Sequence, residues 1–406
     1  MLRNINIEHW FTPNIQLTLL FDSANYIFIA LIILMISRHY KISGSFFTII
    51  AISLSTPFLF NGPQFDWTIF PDQSKYFIGS SSIRKDIFIN GCFEFNFQAK
   101  MFCSTEIDYK TIIPNFIFGL SPLLNIETYR SIGILNRGFF LVMVIFFYHK
   151  KIITGNLLLI FLLMPSIILY SSLALREVII INLMLFYIYF FFNGRYTLSI
   201  ISIIILFFVK SQNIIILIIS TLLVYIFGQE KIKIKSLFFF ILFLLLLILL
   251  FLGFKDQILN SLNYYREGLF LEQYGEYSSA LSLNIYKEKY QLNYDLNSIL
   301  IVGRQFVEFI ISPIRNIDSS FKIIVVMENI LLPIVFYLGF KKNKKLILIW
   351  LSVLFFSYLM YATFIINDGQ IHRYKLPIIL FALFGYSLNL QKTKMIKKFL
   401  KLKKNK

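Results

Sequence analysis

The chain has 406 residues, 57% of them hydrophobic and 18% aromatic, with a formal net charge of +18. A soluble fold of this length has too little interior to hide that much apolar surface, so the composition excludes an ordinary globular protein and requires lipid as part of the solvent. A transmembrane β-barrel is excluded too, because its short alternating segments are missing from the sequence.

Apolar runs of roughly 18 residues or more can each cross a bilayer as a helix. Taken in chain order they fall at 15–37, 43–60, 131–148, 153–172, 176–192, 196–209, 212–227, 236–254, 321–340, 346–366 and 376–391. They predict an all-α, polytopic transmembrane helical bundle of about eleven spans. The whole chain, 1–406, reads as a single membrane domain. The first run is not expected to be a cleaved signal peptide: "NIEHWFTPN" precedes it rather than a basic leader, and no clear small-x-small cleavage site follows.

The basic connections fix an orientation. Arg38 and Lys41, "HKK" (149–151), "NGR" (193–195), "EKIKIK" (230–235), "KKNKK" (341–345) and the tail 391–406 all fall on one side, which is assigned to the cytoplasm. The N-terminus is then outside and the C-terminus inside. That inner side holds 20 of the 39 Lys and Arg but one acid, Glu230. The positive charge is therefore a positive-inside bias with a Lys tail that could touch anionic lipid, and no nucleic-acid partner is implied. Nine of the eleven Arg lie outside or in the outer ends of spans: Arg3, Arg84, Arg130, Arg137, Arg176, Arg266, Arg304, Arg315 and Arg373. Arg grips phosphate or carboxylate with a planar fork, so an Arg-rich outer face points to an anionic ligand, or to pairing with the outer acids.

Two long outer segments interrupt the spans, 61–130 and 255–320. The first opens with "FPDQSKYF" (70–77), where Asp72 is placed to take a proton from an incoming hydroxyl, or is an ordinary loop acid. Cys92 and Cys103, the chain's two cysteines, follow. An oxidising compartment would permit a local disulfide, and two free thiols fit the sequence as well. "IIPNFIFGLSPLL" (112–124) is too short to cross and is broken by Pro114, Gly119 and Pro122, so it reads as re-entrant or interfacial.

Further along, "SSLALREVIIINLMLFYIYFFF" (171–192) sets Arg176 and Glu177 side by side at the mouth of an apolar run. On a helix they would point about 100° apart and each would need another partner. Pro165 and Ser166 break the preceding helix and help to shape a cavity. "FVKSQN" (208–213) puts Lys210 and Gln212 at an outer turn. The second outer segment is rich in Tyr and charge and contains Arg266. "SILIVGRQFVEFIISPI" (298–314) carries Arg304 and Glu308 four residues apart on one helical face, either as a plain ion pair or as an Arg held toward a ligand. "NDGQIHRYKLP" (367–377) crowds Asp368, His372, Arg373 and Lys375 into an expected outer turn before Pro377. Arg373 and Lys375 break the positive-inside trend, and a diphosphate near the headgroups would explain that.

Three of these stretches carry a resemblance. "PDQSKY" in the first large loop, "PSIILYSSLALRE" before a long helix, and "HRYKLP" at the entry to the last span together resemble the bacterial polysaccharide polymerases of the O-antigen and capsule type, and the related GT-C class of multi-spanning glycosyltransferases. The resemblance implies an undecaprenyl-diphosphate-linked glycan as substrate, in the outer leaflet of the bacterial inner (cytoplasmic) membrane. A sugar hydroxyl of one repeat unit would attack the anomeric carbon of another, and lipid diphosphate would leave. It implies catalytic roles for Asp72, Arg176 and Glu177, with Arg176, Arg304 and Arg373 stabilising the leaving group; the charged and polar residues Lys210, Gln212, Arg266, Arg304, Glu308, His372 and Arg373 are the candidate substrate-binding set. It implies no cofactor, while leaving room for a carboxylate-bound divalent ion. Membrane lipids, and a chain-length regulator or flippase, would be partners. Here the first large loop follows the second predicted span, where GT-C enzymes have it after the first. A transferase using a polyprenyl-phosphate sugar, and a glycan or lipid transporter or flippase, are the competing readings. A transporter usually shows paired halves and ionisable groups at mid-membrane.

Overall fold

Backbone amides in an apolar setting must bond to one another, and a helix achieves this locally. The structure, a computed structural model, describes residues 15–60, 72–96, 101–103, 105–106, 111–126, 128–227, 245, 253–274, 286–311, 326–329, 332, 334–335, 337–338, 343–365 and 368–404, and these are almost all helical. The strands among them are β1 (Phe95–Asn96), β2 (Met101–Phe102) and β3 (Thr105–Glu106), an antiparallel meander. The chain divides into two compact units, Met1–Ile214 and Ile215–Lys406.

In the first unit, α1 (Ile15–His39), α2 (Gly44–Leu54) and the single turn α3 (Pro57–Phe60) lead to a polar helix, α4 (Asp72–Phe88). The meander follows, stapled by a disulfide between Cys92 and Cys103, which settles the alternative left by the spacing. Next come α5 (Ile112–Gly119), α6 (Tyr129–His149), α7 (Asn156–Leu163), α8 (Pro165–Ser172), α9 (Glu177–Phe192) and α10 (Tyr196–Lys210); α11 (Gln212–Phe227) follows and belongs to the second unit from Ile215 on. Helix α6 is the organiser: 78% of its apolar window is buried, against 22% for α1. A Cβ on Gly138 of α6 would stand 2.6 Å from Ile29, so a residue with no side chain lets α1 lie close.

Helix α1 also carries an acid where hydrophobic spacing alone gives none. Asp22 is fully buried and accepts hydrogen bonds from Thr128 (2.9 Å) and Ser131 (2.7 Å), with Arg130 at 3.4 Å. Asn25, one turn on, donates to the carbonyl of Asn125 and accepts from the N–H of Leu124. These bonds tie α1 to the entry of α6. Helix α5 lies on α4, held by Arg84, whose guanidinium donates to the carbonyls of Gly119, Ser121 and Leu123. Those carbonyls lie at and beyond the end of α5, where no later amide can reach them. Burial lowers the Arg84 pKa from its ordinary value.

The second unit contains α12 (Lys255–Tyr274), α13 (Leu296–Ile311), α14 (Lys344–Phe364) and α15 (Asp368–Lys404). Asn263 of α12 grips residue 292 from both sides, donating to its carbonyl at 2.8 Å and accepting from its N–H at 2.9 Å. Asp295 then starts α13 by accepting from the N–H and the hydroxyl of Ser298, each at 2.8 Å. Asn343 does the same for α14 through Leu346. A Cβ on Gly385 of α15 would lie 2.0 Å from the Trp350 ring of α14, so these two helices meet at a glycine.

Among the described residues three helices are long and apolar enough to cross a membrane: Leu19–His39 within α1, α6 and α14. The α8–α9 pair, bent by 113°, would make a fourth if counted as one span. This falls short of the eleven crossings expected from hydropathy. The physical reason is that hydropathy counts apolar residues and not helical continuity. The run 153–172 is cut at Pro165, and 43–60, 196–209 and 212–227 are apolar helices shorter than the roughly 20 residues a crossing takes. The last run, 376–391, lies inside the 37-residue α15, with Pro377 within the helix. Most of 236–254 and 321–340 lies outside the described residues.

Candidate functional site

The break ahead of α9 is the chemically richest place in the first unit. Met164 is extended and Pro165 opens α8, so α7 ends there. Alpha-helical bonding stops again after Ser172, and residues 173–176 run unwound. Their polar groups are met by side chains. Asn136 of α6 donates to the carbonyls of Leu173 and Leu175, both at 2.7 Å. The Gln73 Oε1 of α4 accepts from the N–H of Ala174 at 2.9 Å. Buried backbone groups would otherwise destabilise such a segment by 1–3 kcal/mol each, as an order of magnitude.

Beside it lies Arg137, completely buried in mid-helix. Its Nε donates to the carbonyl of Ser53 at 3.1 Å, and its fork reaches the hydroxyls of Ser53 and Ser171 and, at 3.5 Å, the carbonyl of Leu162. Ser53 and Leu162 sit near the ends of α2 and α7, where carbonyls lack helical partners and the helix dipole is negative. That is how a guanidinium is held here without a carboxylate among the described residues.

Arg176 and Glu177 flank the start of α9. The expectation that both lie on a helix, about 100° apart, is corrected: Arg176 is the residue before the helix and Glu177 its first residue. Arg176 Nη1 donates to the carbonyl of Val209 at 3.0 Å, which brings it to the end of α10 next to Lys210. Glu177 is 1% exposed, and its carboxylate sits at the end of the helix where the dipole favours negative charge. Asp72 is the first residue of α4 and pairs with Lys75 at 3.6 Å on the surface. Its neighbour Gln73 is the residue bonded to Ala174, so the start of α4 is docked on the segment that carries Arg176. Lys210 ends α10, Gln212 begins α11, and Lys210 is buried.

The second unit holds the other expected residues. Arg266 is fully buried, and its guanidinium donates to the carbonyls of Tyr290 and Thr363 and to Gln305 Oε1. Burial lowers its pKa to about 10, and the positive charge of Arg304 adds to the effect. Burial likewise raises Tyr286 to about 12. Arg304 and Glu308 do share a face of α13 and pair at 3.9 Å, and Arg304 lies over the Tyr290 ring. The expected outer turn at 367–377 is corrected, because residues 368–377 belong to α15. Arg373 is partly buried. Lys375 is buried, donates to the carbonyl of Ile310 at 3.0 Å, and lies over Phe309. The side chain of His372 lies outside the described residues.

The structure thus groups Asp72, Arg176, Glu177 and Lys210 around one helix break in the first unit, and Arg266, Arg304 and Glu308 around Tyr290 in the second. Sequence reasoning missed Gln73, Asn136 and Asp22, and it counted Arg137 only as an outer Arg. The signal for the pair 136–137 was present: "NRG" stands inside an apolar run. No group of three or more His, Cys, Asp or Glu positioned for a metal occurs among the described residues.

The fold and these sites define the class: an α-helical protein with helices able to span a membrane. Compared with protein-family models, curated proteins and solved structures, the chain matches none of them.

Proposed function

We propose that this chain is a polysaccharide polymerase, joining undecaprenyl-diphosphate-linked repeat units on the outer face of the bacterial cytoplasmic membrane. The finer topology belongs to the same reading: about eleven crossings, counting runs that are near crossing length, with the N-terminus outside and the basic tail inside. The single observation that carries it is the docking of α4 onto the unwound segment 173–176 through Gln73 and Ala174, so that the helix beginning at Asp72 starts against the segment leading into Arg176 and Glu177. In this reading the Asp72 carboxylate takes the proton of an acceptor hydroxyl as its oxygen bonds to the anomeric carbon. The bond from that carbon to the diphosphate oxygen breaks, and Arg176 stabilises the charge gained by the leaving lipid diphosphate. Glu177, held in the fold, orients Arg176 or the acceptor. Half-exposed Arg304, with Glu308, offers a further anion contact in its own unit.

A second reading draws on the bend between α8 and α9. Discontinuous helices with unwound backbone are how many transporters build substrate sites, so export of a lipid-linked glycan is the competitor. Gene deletion with gel analysis of the surface glycan separates the two. A polymerase deletion leaves single repeat units on the anchor, a transporter deletion leaves none at the surface, and a single-sugar transferase deletion changes repeat composition. Replacing Arg176 by Ala is expected to abolish long chains, and Arg176→Lys to restore little, because a point charge cannot replace the fork. Full polymerisation by the Lys variant would refute the two-point grip on phosphate.

A further inference from the structure

An open cavity of about 730 Å³ lies between α12 and α13 in the second unit. Leu259 and Leu262 of α12, Ile299 and Val302 of α13, and Leu359 of α14 line it. Its size falls in the range of about 300–1,000 Å³ typical of small-molecule sites. Its walls are fixed by directional bonds: Asn263 pins Leu292 on both sides, Tyr286 donates to the Asn263 carbonyl, and Ser298 is locked to Asp295. At Gly303, in the lining, a Cβ would meet nothing within 4 Å.

Water is a poor occupant of such a space, since it needs two to four polar partners. Hydrocarbon is a good one. The mouth continues into the apolar outer face of α13, where Leu296, Ile299 and Leu300 are 79%, 67% and 70% exposed. An amphipathic helix with such a face rests at a membrane interface. The rim supplies the headgroup chemistry. Lys255 lies 5.5 Å over the Tyr294 ring at the cavity lining, Asp256 follows Lys255 in α12, and Asp295 lines the cavity next to Tyr294. One cation with two carboxylates suits a phosphate that carries its own ammonium, and repels a diphosphate bearing several negative charges.

We propose that this cavity binds an acyl chain of a zwitterionic phospholipid, with the phosphate at Lys255 and the ammonium at Asp256. The site is distinct from the one proposed for the glycan substrate and does not depend on it. The test uses the full chain in nanodiscs of phosphatidylethanolamine and phosphatidylglycerol, with a phosphatidylethanolamine probe carrying a diazirine in its acyl chain. After irradiation, mass spectrometry maps the label. Label is expected to concentrate on 258–262 and 292–303, above that on Leu19–His39 as an internal reference. Filling the cavity from either wall, by Leu262→Trp or Gly303→Leu, should cut labelling of those peptides about tenfold, the effect of losing the burial of about two methylenes. The wild-type map stands on its own if either variant folds poorly. Label spread in proportion to exposed apolar surface would overturn the proposal. So would equal labelling by a phosphatidylglycerol probe, or displacement of the first probe by undecaprenyl diphosphate.

Discussion

Arg137 shows what a charged residue can do inside an apolar helix. Its partners are the carbonyls and hydroxyls that broken helices leave over, so it acts as a cap for α2 and α7 at once. Replacing it by Ala should lower stability by about 3 kcal/mol, read from unfolding of the protein in detergent, because the four hydrogen bonds of one buried guanidinium are lost together. Arg137→Lys should fall between, since one ammonium cannot make all of them. Asp295 gives the pH dependence. Hydrogen bonds from Ser298 hold its carboxyl below the ordinary aspartate value in the folded chain. A depressed folded pKa means the stability it lends is complete above the ordinary value and is lost as pH falls through the depressed one. Hydrogen exchange at the start of α13 should therefore rise in acid in the wild type, measured against Asp295→Asn, whose amide caps at either pH. Equal acid sensitivity in both would remove Asp295 as the cause.

At the scale of elements, helix ends and glycines decide the packing. Pro165 ends one helix and starts the next, and the unwound residues after Ser172 persist because Asn136 and Gln73 satisfy their backbone. At two helix contacts, α1 on α6 and α14 on α15, the facing residue is glycine. Gly385→Ala would drive a methyl into the Trp350 ring and should destabilise the α14–α15 pair by about 1–3 kcal/mol, seen as a lower thermal midpoint. A variant as stable as the wild type would show that the helices can move apart freely. Arg84 serves an element in the same way, since α5 has only eight residues and that guanidinium satisfies the carbonyls at and just past its end.

For the whole molecule, the disulfide between Cys92 and Cys103 gives the proposed topology a test. Such bonds persist in oxidising compartments, so the 72–126 segment belongs outside under the proposed topology. In intact spheroplasts, an impermeant maleimide should label the protein only after treatment with an impermeant reductant. Labelling that needs lysis would reverse the orientation. The large apolar surface, with residues such as Leu20 and Met35 of α1 well exposed, should also make the chain aggregate when detergent is removed.

The sequence by itself determined the class. Composition demanded lipid, apolar runs demanded helices, and spacing put Arg304 and Glu308 on one face and Lys210 and Gln212 at a turn. These are local or additive properties, readable without knowing what touches what. The tertiary structure decided where helices end and what the buried polar residues are for. The helix end near Leu162, inside one apolar run, and the unwound residues after Ser172 persist where Asn136, Arg137 and Gln73 receive the freed carbonyls and an amide. Those partners lie between 25 and 101 positions away along the chain. A bond across such a separation leaves no trace in periodicity, because it depends on folding bringing two orphaned groups together away from water.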